Sequence, residues 1–523
     1  MQEKLKLNRP LFILSVAFTL GLSVLFTLFP DGSNKILGVL SGISREQFGS
    51  AYLWLGLAMF GMILWLSFSK IGSIKLGPEN EKPKFSTASW IGMIFTAGTG
   101  SSVMYWGTIE WAYYFKGGGG STPLGLTSGM WDTAEWSVAY GLFHEGVTAW
   151  AMYALFGVAV AYVYHIKGKP ILRISELCRP LLKSKTDGPI GKAIDLTFMF
   201  GIIAGTATSM GFGTPMVSAG LAKMFGIADS QGLTFVVLGI WAIMVAATLA
   251  FNLEKGIKIV SDLNVWLLYI VLGIIFVFGP TRFIIDTFTS GFGIMTDNFF
   301  RMSTWTDSVG GSQFPQWWTI FYWAWWLVYA PTVGIFLAKI SKGRTIRELA
   351  LGGTFGGAIG CWLIYAVFGN FAMHLDISGI YSAADQILNG GAPGTTIIEI
   401  MSHAPLVAIV LPVFILAAFF YSATSVNAIA YTLAATTTEN ITPNRDPERW
   451  NRIFWVVLLF GLSAALLSLG TLNVLKAASL ITAIPLMFVS IMMMISLYKN
   501  IKEDGYIYKE YHKPDKEQLE KVS

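Results

Sequence analysis

The chain is poor in charge. Asp, Glu, Lys and Arg make up only 13% of its 523 residues, against a hydrophobic share of 54% and a mean hydropathy of +0.58. That balance excludes an ordinary soluble domain. Cysteine is nearly absent, and Cys178 and Cys361 alone rule out a disulfide scaffold. Five histidines stand at 144, 165, 374, 403 and 512 without metal-type spacing, which argues against a membrane-embedded enzyme. An ion channel would need a repeated filter segment or rings of like charge, and neither is found. No polar stretch is long enough for a separate soluble domain. The longest are the loop around 376–400 and a mixed-charge tail after Tyr498.

Apolar sequence is what the chain has instead. Twelve segments approach the spanning length of roughly 20 residues. They lie near 10–30, 51–70, 88–115, 136–164, 190–224, 232–252, 258–280, 317–340, 345–370, 405–437, 450–470 and 474–498. The 55 glycines suit closely packed transmembrane helices. Lys and Arg collect in alternate loops: Lys4 to Arg9, Lys70 to Lys84, Lys167 to Lys192, Lys255 and Lys258, Lys339 to Arg347, Arg445 to Arg452, and Lys499 onward. The positive-inside rule then predicts a multi-pass protein of the cell inner (plasma) membrane with both termini cytoplasmic. The net charge of +5 follows this topology and points to no nucleic-acid partner. The first apolar segment is expected to be a retained helix, since it has no small-residue cleavage site.

Residues 317–329 read WWTIFYWAWWLVY, with five tryptophans and two tyrosines. On a continuous helix Trp318, Trp325, Trp326 and Tyr329 share one face. A face of rings suits a cation too bulky to hydrogen bond, such as a quaternary ammonium. The competing reading is an aromatic belt at the membrane interface. Earlier in the chain, FTAGTGSSVMYWGTIEW (95–111) places Gly98 and Gly100 before Ser101 and Ser102 inside an apolar span. Helix breaks at this depth are tolerated where they line a cavity, as in transporters. Alternatively, the glycines serve close packing. The Gly- and Ser-interrupted segment 283–300 is expected to lie along the outer interface as an amphipathic helix.

These stretches resemble the betaine/choline/carnitine transporter family along nearly the whole chain. The similarity is carried by FYWAWWLVYAPTVGIFLAKISKGRTIRELALG (321–352), FSTASW (85–90), GTGSSVMYWGTIEW (98–111), EKGIKIVSDLN (254–264) and VNAIAYTLA (426–434). The resemblance implies an all-α membrane protein of twelve transmembrane helices, with a LeuT-like core of two inverted five-helix repeats after two extra helices. The corresponding division is 1–84 for the two extra helices and linker, 85–282 for the first repeat, and 283–316 for the interfacial helix and loop. The second repeat is 317–498 and the tail 499–523. It also implies alternating access, commonly in a homotrimer, with no cofactor other than a coupling ion in some members.

Carried over by motif, Trp325, Trp326 and Tyr329 belong to the family's aromatic box, with Trp318 at an outer access site. In the fourth span, FHEGVTAW keeps His144 and Trp150 but places Glu145 where the family has a tryptophan. An intramembrane carboxylate is costly unless paired or protonated. Glu145 has three readings. It faces the substrate as a counter-ion, it couples transport to protons, or it turns away and pairs with a group on another helix. As a counter-ion it favours substrates less negative than a betaine. A substrate carboxylate would then need the exposed amides near Gly98 to Ser102.

Sodium-coupled members use tenth-span hydroxyls and third-span carbonyls. Here Ser422 matches one hydroxyl, Tyr421 replaces the other, Thr424 stands nearby and Ala97 offers a carbonyl. The arginine that replaces sodium in carnitine exchangers is Asn264 in this chain. Cation-coupled uptake and substrate exchange therefore both stay open, with sodium at Ser422 as the expectation.

Overall fold

A bilayer core offers no water to the backbone, so apolar runs must satisfy their own N–H and C=O groups as helices. The computed structural model describes residues 6–98, 101–118, 121–169, 173–250, 254–439, 446–469 and 472–506. Among these residues the chain is helical throughout, with only two isolated bridges, Leu7 to Thr438 and Lys75 to Thr345.

Among the described residues, ten helices are individually long and apolar enough to cross a membrane, or eleven if one sharply bent pair counts as a span. This count does not confirm the expected twelve, and two segments account for the difference. The third apolar segment is described in two parts, Thr87–Gly98 and Ser101–Lys116, each below spanning length on its own, with residues 99 and 100 outside the described set. The seventh, Glu254–Phe278, is continued by Thr281–Asp297 across a bend of 104° after residues 279 and 280. Pro280 and Gly279 explain the bend, since proline cannot donate the next helical hydrogen bond. The Thr281–Asp297 helix covers most of the segment expected at the interface. Gly291 lets it press onto the fourth span, where an added Cβ would lie 2.5 Å from Val138.

Two spans that carry the aromatic residues are interrupted. The fourth consists of Trp131–His144 and Val147–Ala161, with Glu145 and Gly146 between them. The eighth is preceded by a separate turn, Phe314–Trp317, opened by Pro315. Trp318 then takes φ −120° and ψ −73°, and the long helix Thr319–Ile340 begins. The one-face reading of Trp318 with Trp325, Trp326 and Tyr329 is therefore corrected: the helix does not run through residue 318. Nor does the run form a belt, because nearly every side chain of this helix is buried within the protein.

Glycine brings the two spans together. A Cβ at Gly334 would lie 2.6 Å from Phe156 and 2.9 Å from the Gly157 amide nitrogen. This close approach is the small-residue contact that membrane helices use in place of a hydrophobic drive. Pro30–Gln47, which the apolar pattern does not mark, is a further helix. It docks on Leu472–Glu503, with Ser44 Oγ donating to the Leu480 carbonyl at 2.8 Å. That last helix runs past residue 498 to Glu503, and most of the expected tail lies outside the described residues.

Candidate substrate site

A cavity of about 1220 Å³ runs from the middle of the bundle to one end. Its inner part is walled by rings. Trp325 and Trp326 come from Thr319–Ile340, together with Tyr329 one turn on. Trp326 meets Tyr153 with centroids 4.7 Å apart, and Tyr329 lies 6.5 Å from Trp325. Gly205 makes room for this wall, since a Cβ there would sit 2.9 Å from Val328 and 3.0 Å from the Tyr329 ring. One turn further, Ser209 shares a 2.7 Å hydrogen bond with the Tyr329 hydroxyl and fixes that ring.

The break in the fourth span turns Glu145 onto the same wall. The helix ends at His144, Gly146 adopts φ −94° and ψ −153°, and a Cβ at Gly146 would lie 2.6 Å from the Leu142 carbonyl oxygen. Glu145 lines the cavity yet is only 2% exposed. Cys361 and Tyr365 approach its carboxyl, but Oε2 has no hydrogen-bond partner among the described residues. No described ion pair involves it. A buried, unpaired carboxylate oxygen beside electron-rich ring faces has the chemistry to receive a cation.

Toward the other end the path is shut by a packed polar and aromatic layer. Its centre is Glu110, which is 1% exposed. Tyr114 and Tyr322 donate to its two oxygens, and Tyr365 adds a third bond at 2.7 Å. His144 Nδ1 lies 3.4 Å from the carboxylate and 2.9 Å from the Tyr114 hydroxyl, while Nε2 contacts Thr319 Oγ1 at 3.0 Å. Trp318 belongs to this layer. It packs edge-on against Trp106 at 5.8 Å and Tyr114 at 4.7 Å, and Lys476 Nζ stands 3.5 Å from its ring centroid.

Residues 10–506 match the profile of BCCT, the betaine/carnitine/choline family transporter. The chain belongs to this family. It is a multi-pass membrane transporter and not an enzyme. Among solved structures, the BCCT chain is similar to a Na+-coupled sialic acid symporter captured in a substrate-bound outward-open state. The identity is 11% and the TM-score 0.47, over 90% of this chain and 98% of that one. So distant a likeness carries no weight for the site.

The residues expected to serve the BCCT substrate fall in three places. Trp325, Trp326, Tyr329, Glu145 and Ser102 line the cavity. Trp150 stands behind it, fully buried, 5.6 Å from Trp326 and pressed against Gly357, where a Cβ would be 2.0 Å away. Trp318 is in the closed layer. Gly100 lies outside the described residues, and Gly98 is the last residue described before that gap, its surroundings not described.

In the coupling region, Ser422 Oγ donates to Ser101 Oγ at 2.6 Å. Gly213 faces the pair, with a Cβ there 2.3 Å from Ser101 Oγ and 3.4 Å from Ser422 Oγ. The Asn264 amide, oriented by its neighbours, donates to the Ala417 carbonyl at 3.0 Å and accepts from the Tyr421 N–H at 3.2 Å. It thereby binds one turn of Val407–Thr436 and spends its oxygen there. Ala97 and Thr424 fall in helices, and their side chains are outside the described residues.

The motif reading passed over Tyr153, Ser209 and Glu110. Tyr153 was visible as the residue three after Trp150, on the same helical face. Glu110 was visible as a lone carboxylate in an apolar helix, the same signal that singled out Glu145. Ser209 had no signal of its own in the sequence.

Proposed function

We propose that this BCCT protein is a secondary active transporter of a quaternary ammonium compound of the glycine betaine, carnitine or choline type. The observation that supports this most is the cavity wall itself, where Trp325, Trp326, Tyr329 and Tyr153 stand with the unbonded Glu145 oxygen. The rings receive the methylated ammonium through their faces, and Glu145 supplies the opposite charge. Among the described lining residues, the basic ones are Lys84, Lys339 and Arg452. Lys339 is ten positions past Tyr329 on one helix, about 15 Å along its axis at 1.5 Å per residue. A substrate carboxylate at the cage therefore meets no described lysine or arginine, and choline-type substrates should bind better than betaines.

Transport proceeds by alternating access on a LeuT-like core. The cavity opens at the end that carries Lys84, Lys339 and Arg452, which the positive-inside rule assigns to the cytoplasm, while the Glu110 layer closes the opposite end. The Ser101–Ser422 pair is the candidate for a co-transported sodium ion. Those two hydroxyls would have to release each other to turn toward a cation, with carbonyls of the third span completing the oxygen set.

A second reading gives Glu145 a coupling proton. It is favoured by Tyr365, which donates to Glu110 and also approaches the Glu145 carboxyl, linking the two acids. Uptake of labelled choline, carnitine and glycine betaine into proteoliposomes separates these possibilities. Imposing a sodium gradient, a pH gradient or internal counter-substrate in turn identifies the coupling. If glycine or proline protected the protein from unfolding while the three methylated amines did not, the substrate assignment would be wrong.

A further inference from the structure

Glu145 has a counterpart of opposite sign that the proposed transport cycle does not use. Lys476, at the start of the Leu472–Glu503 helix, is 2% exposed and sits inside the closed layer. Its ammonium is held by rings: Trp318 at 3.5 Å, Phe321 at 4.6 Å and Trp106 at 5.3 Å from the centroids. Its hydrogen bond goes to the Trp317 carbonyl at 3.3 Å. No described ion pair includes it. Glu110, the acid of the layer, attracts it through space but makes no described hydrogen bond or ion pair with it and is already engaged by Tyr114, Tyr322, Tyr365 and His144. Arg45 covers the far side of the neighbouring Trp317 at 3.9 Å and adds like charge.

Three ring faces and one carbonyl replace the hydration shell of an ammonium only in part. A lysine head has three donors and is strongly hydrated, so a dry layer with one acceptor leaves it under-compensated. The closed layer is thus stable through its aromatic packing and the Glu110 network, and strained at one buried cation. Opening that layer to water relieves the strain. We propose that Lys476 is a built-in return device, a buried cation that drives the outer layer to reopen after the cavity has discharged at the basic end. The proposal rests on the alternating-access reading above. It assigns Lys476 a conformational role, in which its charge sets the balance between the two states.

The test compares Lys476→Met and Lys476→Arg with the wild type, using full-length protein in lipid nanodiscs without substrate. Hydrogen–deuterium exchange is followed over residues 106–118 and 314–323, which carry the closed-layer residues Trp106, Glu110, Tyr114, Trp318 and Tyr322. Removing the charge should favour the closed layer, so Lys476→Met is expected to slow exchange there by about tenfold, as expected for exchanging a buried charge for an apolar side chain. Its melting temperature should rise, which also separates the effect from misfolding. Lys476→Arg keeps the charge and should exchange like the wild type. Faster exchange in Lys476→Met would mean that the ammonium is a plug holding the layer shut, and would overturn the proposal. Unchanged exchange, or the same slowing in Lys476→Arg, would overturn it as well. Because no substrate is added, a failure here is distinct from a failure of the quaternary ammonium assignment, which the uptake assay reads alone.

Discussion

Two carboxylates lie buried along the same pathway, and they are treated in opposite ways. Glu110 receives three tyrosine hydroxyls and faces His144, so its charge is spread over a full set of donors. Glu145, at a helix break on the cavity wall, is approached by Cys361 and Tyr365 but leaves Oε2 without a partner among the described residues. An intramembrane acid that the protein satisfies by itself holds structure together. One that is left unsatisfied beside ring faces waits for something that is not protein. That difference is the ground on which a closing layer is proposed at Glu110 and a binding site at Glu145.

Substitutions can break that contrast. The largest effect expected is on binding: Glu145→Gln should weaken choline binding by about 30-fold or more, since removing one partner of a buried charge pair costs upward of about 2 kcal/mol. The same change should leave the melting temperature of the empty protein unchanged or raised, because an unpaired buried charge is removed. Glu110→Gln should do the reverse. It loses charge-assisted hydrogen bonds of about 1.5–3 kcal/mol each, so the thermal transition should fall by several degrees, while folded protein still binds choline. If Glu110→Gln abolished binding without a loss of stability, the division between the two acids would be wrong.

Trp326→Leu sharpens the contrast from the ring side. A desolvated cation–π contact is worth about 2 kcal/mol, so choline affinity should drop by roughly 30-fold. Tyr153→Phe keeps the ring and should change affinity by less than about threefold. Isothermal titration reads both. Away from the cage, Asn264→Ala removes the bridge to Ala417 and Tyr421 and should cost about 1 kcal/mol in chemical unfolding, with no change in choline affinity. A change in choline affinity with it would place Asn264 in binding after all.

The sequence made part of this legible. Trp325, Trp326 and Tyr329 sit within one helix, so their common side follows from residue spacing and needs no tertiary knowledge. Glu145 stood out because a carboxylate in an apolar run always needs an explanation. Trp318 did not follow, since the spacing argument assumed an unbroken helix and Pro315 starts a separate turn just before it. Trp150 is on the expected span but behind the wall, and the depth of a side chain depends on which helices press against it, here through Gly357. The span count of twelve is not confirmed for a different reason: the seventh segment runs on into Thr281–Asp297 across a sharp bend, and the third is described in two parts. Ser209 meets Tyr329 only through close packing at Gly205, and apart from Tyr114, four residues on in the same helix, the partners of Glu110 come from helices far apart in the chain.

The central claim is that Glu145 is the counter-ion of a methylated ammonium in an aromatic cage. Titration of choline and glycine betaine against purified wild type and Glu145→Gln tests it most directly. The account predicts tighter choline than betaine binding to the wild type, and a preferential loss of choline in Glu145→Gln. Equal choline affinity in the two proteins, with the fold intact, would contradict it.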